Sequence, residues 1–465
     1  VVTVPAAPHA AVPAGTEAPL VDHASLVLRA GRLGPVLPHM GWILRVSGHV
    51  PRDLLAAEAV RLARRPYGLG RRVRPRRIPG ARRHWRVDPT PPPVALREGP
   101  LTPAAVRRWL DEELARPLDP ERGDGWRLSA AHADDGDSVV LLVVHHLYGT
   151  VAGALRASAP HDDPAPWHGT TEARFVPGAR FGLRHELDAL GERLQLGLGG
   201  AARAARDALR RPPAPTPAPG PGPAPLRPAA GRDRTRRRPA PGRSAAILTC
   251  PADEWDAAAA ARGGTGNTLL AALTANLVRR GRVARGGDVG RPVRLVLPID
   301  LGDDAVGARR EGASGPRATM VTASVVLPGG APHHGDLAPA RRWMKAAFAA
   351  EAATAPPVRG VGDLTRLLPE ALTVRVAERA ALAFDACATN PGALPASVAC
   401  LGDHRPRAVA ALGFPIGLDL IAALSRTPEQ VSVAVVADAG RIGGADVHAW
   451  LGDELAAWGL PDRRW

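Results

Sequence analysis

The residues best suited to chemistry are the adjacent histidines His145 and His146. They close the run Ser138-Val139-Val140-Leu141-Leu142-Val143-Val144, which is entered from Asp134-Asp135-Gly136-Asp137. A short, valine-rich apolar run that follows a polar turn reads as a buried strand. Strand ends are rigid, and the next loop can open onto a cleft. Successive side chains point to opposite faces, so one imidazole faces a cavity while the other packs. A neutral imidazole with a pKa of ~6.5 can take a proton from a hydroxyl or an amine near neutral pH. A pair of polar strand-end residues with no catalytic part is the plainer reading of the same pattern. Metal binding is disfavoured, because adjacent residues chelate one ion poorly and no third ligand sits at helical spacing. His333-His334 lies in a Gly/Pro-rich loop and reads as surface. No GxSxG, P-loop or strand–GxGxxG–helix pattern occurs. Gly286-Gly287-Asp288-Val289-Gly290 reads as a loop.

A chain of 465 residues can supply two large cores to hold such a site. Residues 1–20 read as a disordered lead-in. Residues 21–210 form a first half carrying the histidine pair. Within it, residues 40–46 predict a strand and residues 53–64 an amphipathic helix. Residues 102–114 predict a second helix, with Thr102 as N-cap and Pro103 at the first helical position. Residues 151–155 start a helix after the pair, and residues 183–209 are helical. Residues 211–244 are proline-rich and then basic, the composition of an extended linker. Residues 245–465 form the second half. Its predicted strands are 245–249, 293–299, 318–327 and 431–437. Its predicted helices are 268–279, 337–350, 364–380 and 447–458. Helices and strands mixed in both halves give an α/β or α+β protein.

Lys and Arg number 60 against 45 Asp and Glu, a net charge of +15. Lys345 is the only lysine, a skew that fits a GC-rich coding background. Two arginine clusters stand out. One runs from Arg71 to Arg77 and on to Arg82, Arg83 and Arg86; the other holds Arg232, Arg234 and Arg236-Arg237-Arg238. Only Trp85 lies among them to stack on a base, so nucleic-acid binding is not expected. A solvated arginine face, or a basic rim that steers an acidic cofactor or carrier protein, accounts for them. Cys250, Cys387 and Cys400 are widely spaced and give no disulfide or zinc pattern. A reducing, cytoplasmic setting is the expectation. No apolar run reaches the ~18 residues of a membrane span, and residues 1–19 lack the pattern of a signal peptide.

The segments around the histidine pair carry a resemblance. Pro117-Leu118-Asp119-Pro120-Glu121-Arg122 and Trp126-Arg127-Leu128 precede the apolar strand and His145-His146. This order resembles the bacterial wax ester synthase/diacylglycerol acyltransferase family and its relatives, the condensation enzymes of nonribosomal peptide assembly. Those families carry an LDxxxPLW-like segment before an HHxxxDG motif. Asn267-Thr268-Leu269-Leu270-Ala271-Ala272-Leu273 is similar to their NDVLLAAV helix. Leu297-Pro298-Ile299-Asp300-Leu301 is similar to their VPVSLR strand, and Thr389-Asn390-Pro391-Gly392 to their SNVPGP segment. Val21-Asp22 resembles an N-terminal PVD. The resemblance is collinear over nearly the whole chain.

The resemblance implies two chloramphenicol-acetyltransferase-like halves with an active-site tunnel between them, open at both ends. One mouth would admit an acyl thioester on CoA or on an acyl carrier protein, with no other bound cofactor. The other would admit an alcohol or amine acceptor. His146 would be the general base and His145 structural, while Asn390 would lie near the tunnel or the crossover between halves. The motif is degenerate. Thr150 stands where the family has Asp, Val151 where it has Gly, and Gly302 where an arginine pairs with that Asp. Losing one member of a buried ion pair costs several kcal/mol, whereas losing both can be close to neutral. A coordinated replacement that keeps His146 working is therefore one expectation, with Thr150 in a supporting place. A decayed, non-catalytic paralogue acting as a scaffold is the other. Ester formation in lipid metabolism is the first reading, and amide or ester condensation in a natural-product pathway the second. Peripheral membrane contact through the arginine clusters is a further expectation.

Overall fold

The computed structural model describes residues 13–20, 28, 39–64, 69–79, 81, 83–148, 178–210, 243–300, 320–353, 372, 383–391, 401–404, 406–413, 417–442, 446–461 and 463–464. In the first half the chain runs through β1 (Glu17–Pro19), β2 (His39–Val46), α1 (Arg52–Ala63), β3 (Arg71–Arg74), β4 (His84–Val87) and β5 (Ala95–Leu101). Helix α2 (Pro103–Ala115), β6 (Trp126–Ala133), β7 (Ser138–His145) and the long α3 (Leu183–Arg210) follow. The second half begins with β8 (Arg243–Pro251), α4 (Ala252–Ala260), α5 (Gly266–Ala284), β9 (Val293–Asp300), β10 (Met320–Leu327) and α6 (Ala338–Ala353). It ends with β11 (Ala386–Thr389), β12 (Pro406–Gly413), β13 (Leu420–Arg426), β14 (Gln430–Asp438), α7 (Ala439–Ile442), α8 (Val447–Ala457) and β15 (Arg463–Arg464).

Three sheets organise these elements. The smallest has the order β1-β4-β3. A five-stranded sheet has the order β12-β2-β7-β6-β5, and a seven-stranded sheet the order β10-β9-β11-β13-β14-β8-β15. Strand β7 lies between β2 and β6, antiparallel to both. Every residue of β7 is buried, because both faces of its sheet are covered. Val140, Leu142 and Val144 face a core shared with Trp42, Trp85 and Trp126. Val139, Leu141 and Val143 face a second core, shared with Val106 and Leu110 of α2 and with Ile247, Ala434 and Val436 of the larger sheet. This second core is the packed layer between the halves. A strand walled on both sides needs no polar alternation, which is why its sequence is uninterrupted.

Strand β12 comes late in the chain but pairs antiparallel with β2, Val409 opposite Leu44 and Leu412 opposite Gly41. It is an edge strand, so Pro406 at its start removes no required ladder bond. On its outer side the Ala411 amide donates to Ser425 Oγ of β13 at 2.8 Å. Two sheets are thus tied through one strand.

The predicted helices at 53–64, 102–114, 268–279, 337–350 and 447–458 appear as α1, α2, α5, α6 and α8. Thr102 caps α2, its hydroxyl accepting from the Ala105 amide at 3.3 Å. Helix α5 starts earlier than predicted, at Gly266, because Thr265 and Thr268 form a reciprocal capping box. Its polar residues Thr274 and Asn276 are fully buried, as befits the central helix packed on the larger sheet. Pro298 is tolerated within β9 because the parallel partner β11 reaches β9 only at Leu295 and Val296.

Two readings need correction. The lead-in expected over residues 1–20 includes an ordered end: β1 pairs with β4, and Ala18 and Leu20 are buried. The first arginine cluster is not simply a solvated face or rim. Its residues Arg71–Arg74 form β3, where Arg71 is 2% exposed. Arg83 pairs with Glu121 at 2.9 Å and Arg74 with Glu17 at 2.9 Å. The expected helices at 151–155 and 364–380, the linker over 211–242, and residues Val21, Asp22, Thr150, Val151, Gly302 and Cys400 lie outside the described residues, Leu372 excepted.

Candidate active site

At the end of β7 the chain turns directly into a 3-10 turn, His146–Tyr148. The turn is anchored by its apolar members, since Leu147 and Tyr148 are buried while His146 is half-buried. His145 continues the face of Val139, Leu141 and Val143, toward the layer between halves. Its backbone amide donates to the Gly125 carbonyl at 2.9 Å. Its ring is fixed as well: the Leu147 amide donates to His145 Nδ1 at 3.1 Å. Nδ1 is therefore an acceptor, and the neutral ring carries its proton on Nε2. Opposite it in the ladder stands His39, with ring centroids 6.4 Å apart in an edge-on arrangement.

Burial, then the neighbouring His39 and His146, hold the His145 pKa well below the ordinary histidine value. His145 is thus a neutral, oriented residue near pH 7. An unfolded chain would protonate it near pH 6.5. Below that pH the unfolded state binds more protons, so stability falls as pH falls toward the folded-state pKa. We expect His145 to contribute a loss of about 1.4 kcal/mol per pH unit below pH ~6.5. Urea unfolding midpoints between pH 7 and 5 would measure it, and His145→Gln should flatten the slope.

Tyr148 ends the turn inside a clamp. Its hydroxyl donates to the Arg71 carbonyl at 2.6 Å, and the Arg71 guanidinium donates back to the Tyr148 carbonyl at 3.1 Å. The same guanidinium lies 4.3 Å from the Trp85 ring centroid and 5.7 Å from that of Tyr148. Burial lowers the Arg71 pKa to about 10, which still leaves it charged at neutral pH. Gly125 completes the clamp, because a Cβ there would run into the Tyr148 ring and hydroxyl. Sequence reading missed His39, Arg71 and Gly125, since each acts through a partner distant in the chain. The only local signal is that Tyr148 is one of just 2 tyrosines in the chain.

Asn390 follows β11 in the larger sheet, and its Nδ2 donates to Asn267 Oδ1 at 2.6 Å. Asn267 sits in the first turn of α5. The segments around Asn267 and Asn390 are thus brought together in space. His333 is exposed, as its loop position predicts, and the pair is also tied to the fold: the His333 amide donates to buried Asn276 at 3.0 Å, and His334 Nε2 lies 3.0 Å from Glu454. Glu454, fully buried, also accepts from Asn276 and from Trp458 Nε1. That network docks the 328–335 loop on α5 and α8.

Ser138 and His132 form a contact that resembles a nucleophile and its base, Ser138 Oγ lying 3.0 Å from His132 Nδ1. However, Ser138 is fully buried, donates to Gly48 O at 2.7 Å and accepts from the Val50 amide. It pins the 47–50 loop and offers no attacking oxygen. Among the described residues no three His, Cys, Asp or Glu side chains gather as a metal site. No helix among them is long and apolar enough to cross a membrane.

No family model matches this sequence. No curated protein matches it either. The structure does match solved proteins over nearly its full length. A wax ester synthase/diacylglycerol acyltransferase from Marinobacter aquaeolei VT8 superposes with a TM-score of 0.56 at 14% identity, covering 95% of this chain and 98% of that one. The trichothecene 15-O-acetyltransferase of Fusarium sporotrichioides gives 0.55 at 11% identity, over 95% and 94%. The first condensation domain of the calcium-dependent antibiotic synthetase, in complex with a substrate analogue, gives 0.52 at 16%, over 97% and 98%. The chain therefore has the two-halved fold of the CoA-dependent acyltransferases, which the condensation domains share. At these identities the likeness is one of fold.

Proposed function

We propose that the chain is an acyltransferase that moves an acyl group from a thioester to an alcohol, with His146 as general base. The observation that carries this reading is the half-buried His146, held on a clamped turn directly after the central strand of this fold. In the proposed reaction His146 takes the hydroxyl proton as the acceptor oxygen attacks the thioester carbonyl. The tetrahedral intermediate collapses, the carbon–sulfur bond breaks, and the leaving thiolate takes the proton back from the imidazolium. His145, neutral and hydrogen-bonded to the turn, holds the base in place without competing for the proton. Thr150 is assigned a supporting role. Asn390 is assigned to the tunnel wall near the crossover.

The donor is an acyl-CoA or an acyl carrier protein, with no other cofactor. A cytoplasmic enzyme touching a membrane surface would do so through its arginine clusters. The boundaries 21–210 and 245–465 remain our proposed division. A condensation-type reaction on an amine is the second reading, favoured by the likeness to a condensation domain. Release of free thiol from long-chain acyl-CoA separates the two. Alcohols should stimulate it strongly and amines weakly. Stimulation by amines alone would move the assignment to condensation. Thiol release stimulated by neither acceptor, from CoA or carrier thioesters, would favour a scaffold.

A further inference from the structure

Helix α3 carries a row of leucines at the surface. Leu183 is 52% exposed, Leu187 53%, Leu194 48% and Leu198 63%. With the half-buried Leu190 they fall within an arc of roughly 80° on a helix of 3.6 residues per turn. Arg184, Asp188, Glu192 and Gln195 are exposed on another face. Single exposed leucines are ordinary, whereas a continuous row marks an interaction surface. The helix is moored at its start. Buried Glu186 accepts from the amides of Arg77 and Ile78 at 2.8 and 2.9 Å, and just before the helix Phe181 stacks on His84 at 4.5 Å. From that mooring α3 runs for 28 residues, ~42 Å at 1.5 Å per residue.

Positive charge follows the row along the sequence. From Arg193 to Arg243 there are 12 arginines and 2 acids, Asp207 and Asp233, which is +10 of the chain's +15. An apolar helix face that leads into a basic stretch matches an anionic lipid surface, where leucine enters the acyl boundary and arginine is drawn to the headgroups. A second copy of the chain fits less well. Leu183, Leu187, Leu190 and Leu194 have the four-three spacing of a coiled-coil seam, but its next positions are Gly197 and Ala201. Two heptads fall short of the ~3–4 that sustain a coiled coil. Pairing would also bring like charges together. Leu198 lies off that seam and widens the row instead.

We propose that α3 is an in-plane membrane helix whose leucine row docks the protein on anionic lipid. The proposal rests on the membrane contact named above, not on the reaction. It adds to the arginines an apolar contact that salt does not screen.

Flotation of the full chain with vesicles tests it. Vesicles of phosphatidylcholine mixed with phosphatidylglycerol should carry the chain, and phosphatidylcholine alone should bind it at least tenfold more weakly. Leu187→Gln combined with Leu194→Gln should weaken binding to the mixed vesicles at least tenfold. Tm should stay unchanged, since both side chains are exposed. In Leu194→Trp the added indole should be quenched by brominated acyl chains, beyond any quenching of the unmodified chain. His146→Ala should float as the unmodified chain does, so failure of the acyl-transfer reading leaves this result standing. Binding to neither vesicle, or equally to both, would overturn the proposal. So would equal binding by the double variant, the result if arginines alone make the contact. A dimer in solution that the double variant abolishes would give the leucine row to a second copy instead. Absence of the added quenching in Leu194→Trp would overturn the proposal even if the double variant lost stability.

Discussion

Replacing His146 with alanine should lower the rate of acyl transfer by about 10²–10⁴-fold, the usual contribution of a positioned general base. The fold should survive. His146 is half-buried on a 3-10 turn, and the anchoring is done by the buried Leu147 and by Tyr148, which Arg71 clamps. A fall in kcat with little change in KM is the expected form, because the base acts in the transition state. His145→Ala should behave differently. That side chain is buried, accepts from the Leu147 amide, and faces the layer between halves. It should lose stability first and activity as a consequence. The two histidines are thus separable by comparing thiol release with unfolding midpoints. Activity unchanged in His146→Ala, with thermal stability intact, would remove it as the base and turn attention to the scaffold reading.

Arg71→Ala should destabilise the chain by roughly 3–5 kcal/mol. About 2 of that is the desolvated cation–π contact with Trp85. The remainder comes from the cavity and from the Tyr148 carbonyl that loses the guanidinium. A buried charge also carries a desolvation cost, visible here as the lowered Arg71 pKa. Arg71→Met fills most of the volume without a charge and should therefore cost much less than the alanine. Urea unfolding of both variants measures the difference. Equal losses in the two would mean that the guanidinium, and not its volume, is what matters. Because the Arg71 clamp sets the turn that carries His146, the alanine variant should also lose activity beyond its loss of folded fraction.

The contrast between β7 and β3 shows what the sequence can disclose. Strand β7 was legible because both of its faces are buried, so its apolar run needs no knowledge of its neighbours. The helices were legible through spacing and caps, as at Thr102. Strand β3 reads Arg-Arg-Val-Arg, a charged patch by any local measure. It is a strand because Trp85 and Tyr148 receive Arg71 and because Glu17 receives Arg74. Those partners lie up to 77 residues away, beyond any periodicity. The site divides in the same way. His145 and His146 announce themselves by standing at the end of an apolar run. His39 and Gly125 are ordinary residues until β2 and β6 bring their backbone alongside. The likeness of separate segments across the chain carried the fold further than composition could, because collinear order survives where individual motifs have drifted.

Strand β12 makes the two halves depend on each other for completion. Strand β2 pairs with it along seven positions, from Met40 to Val46. A first half made alone would present that edge of β2 bare, with Trp42 and Leu44 beside it, an open template for pairing between molecules. A second half made alone would carry β12 with no ladder to join and with Leu412, fully buried in the intact chain, uncovered. The five-stranded sheet is therefore complete only when both pieces are present. They are reciprocal chaperones, each shielding in its partner the surface most prone to aggregate, and the order of synthesis leaves the β2 edge waiting until residues 406–413 arrive.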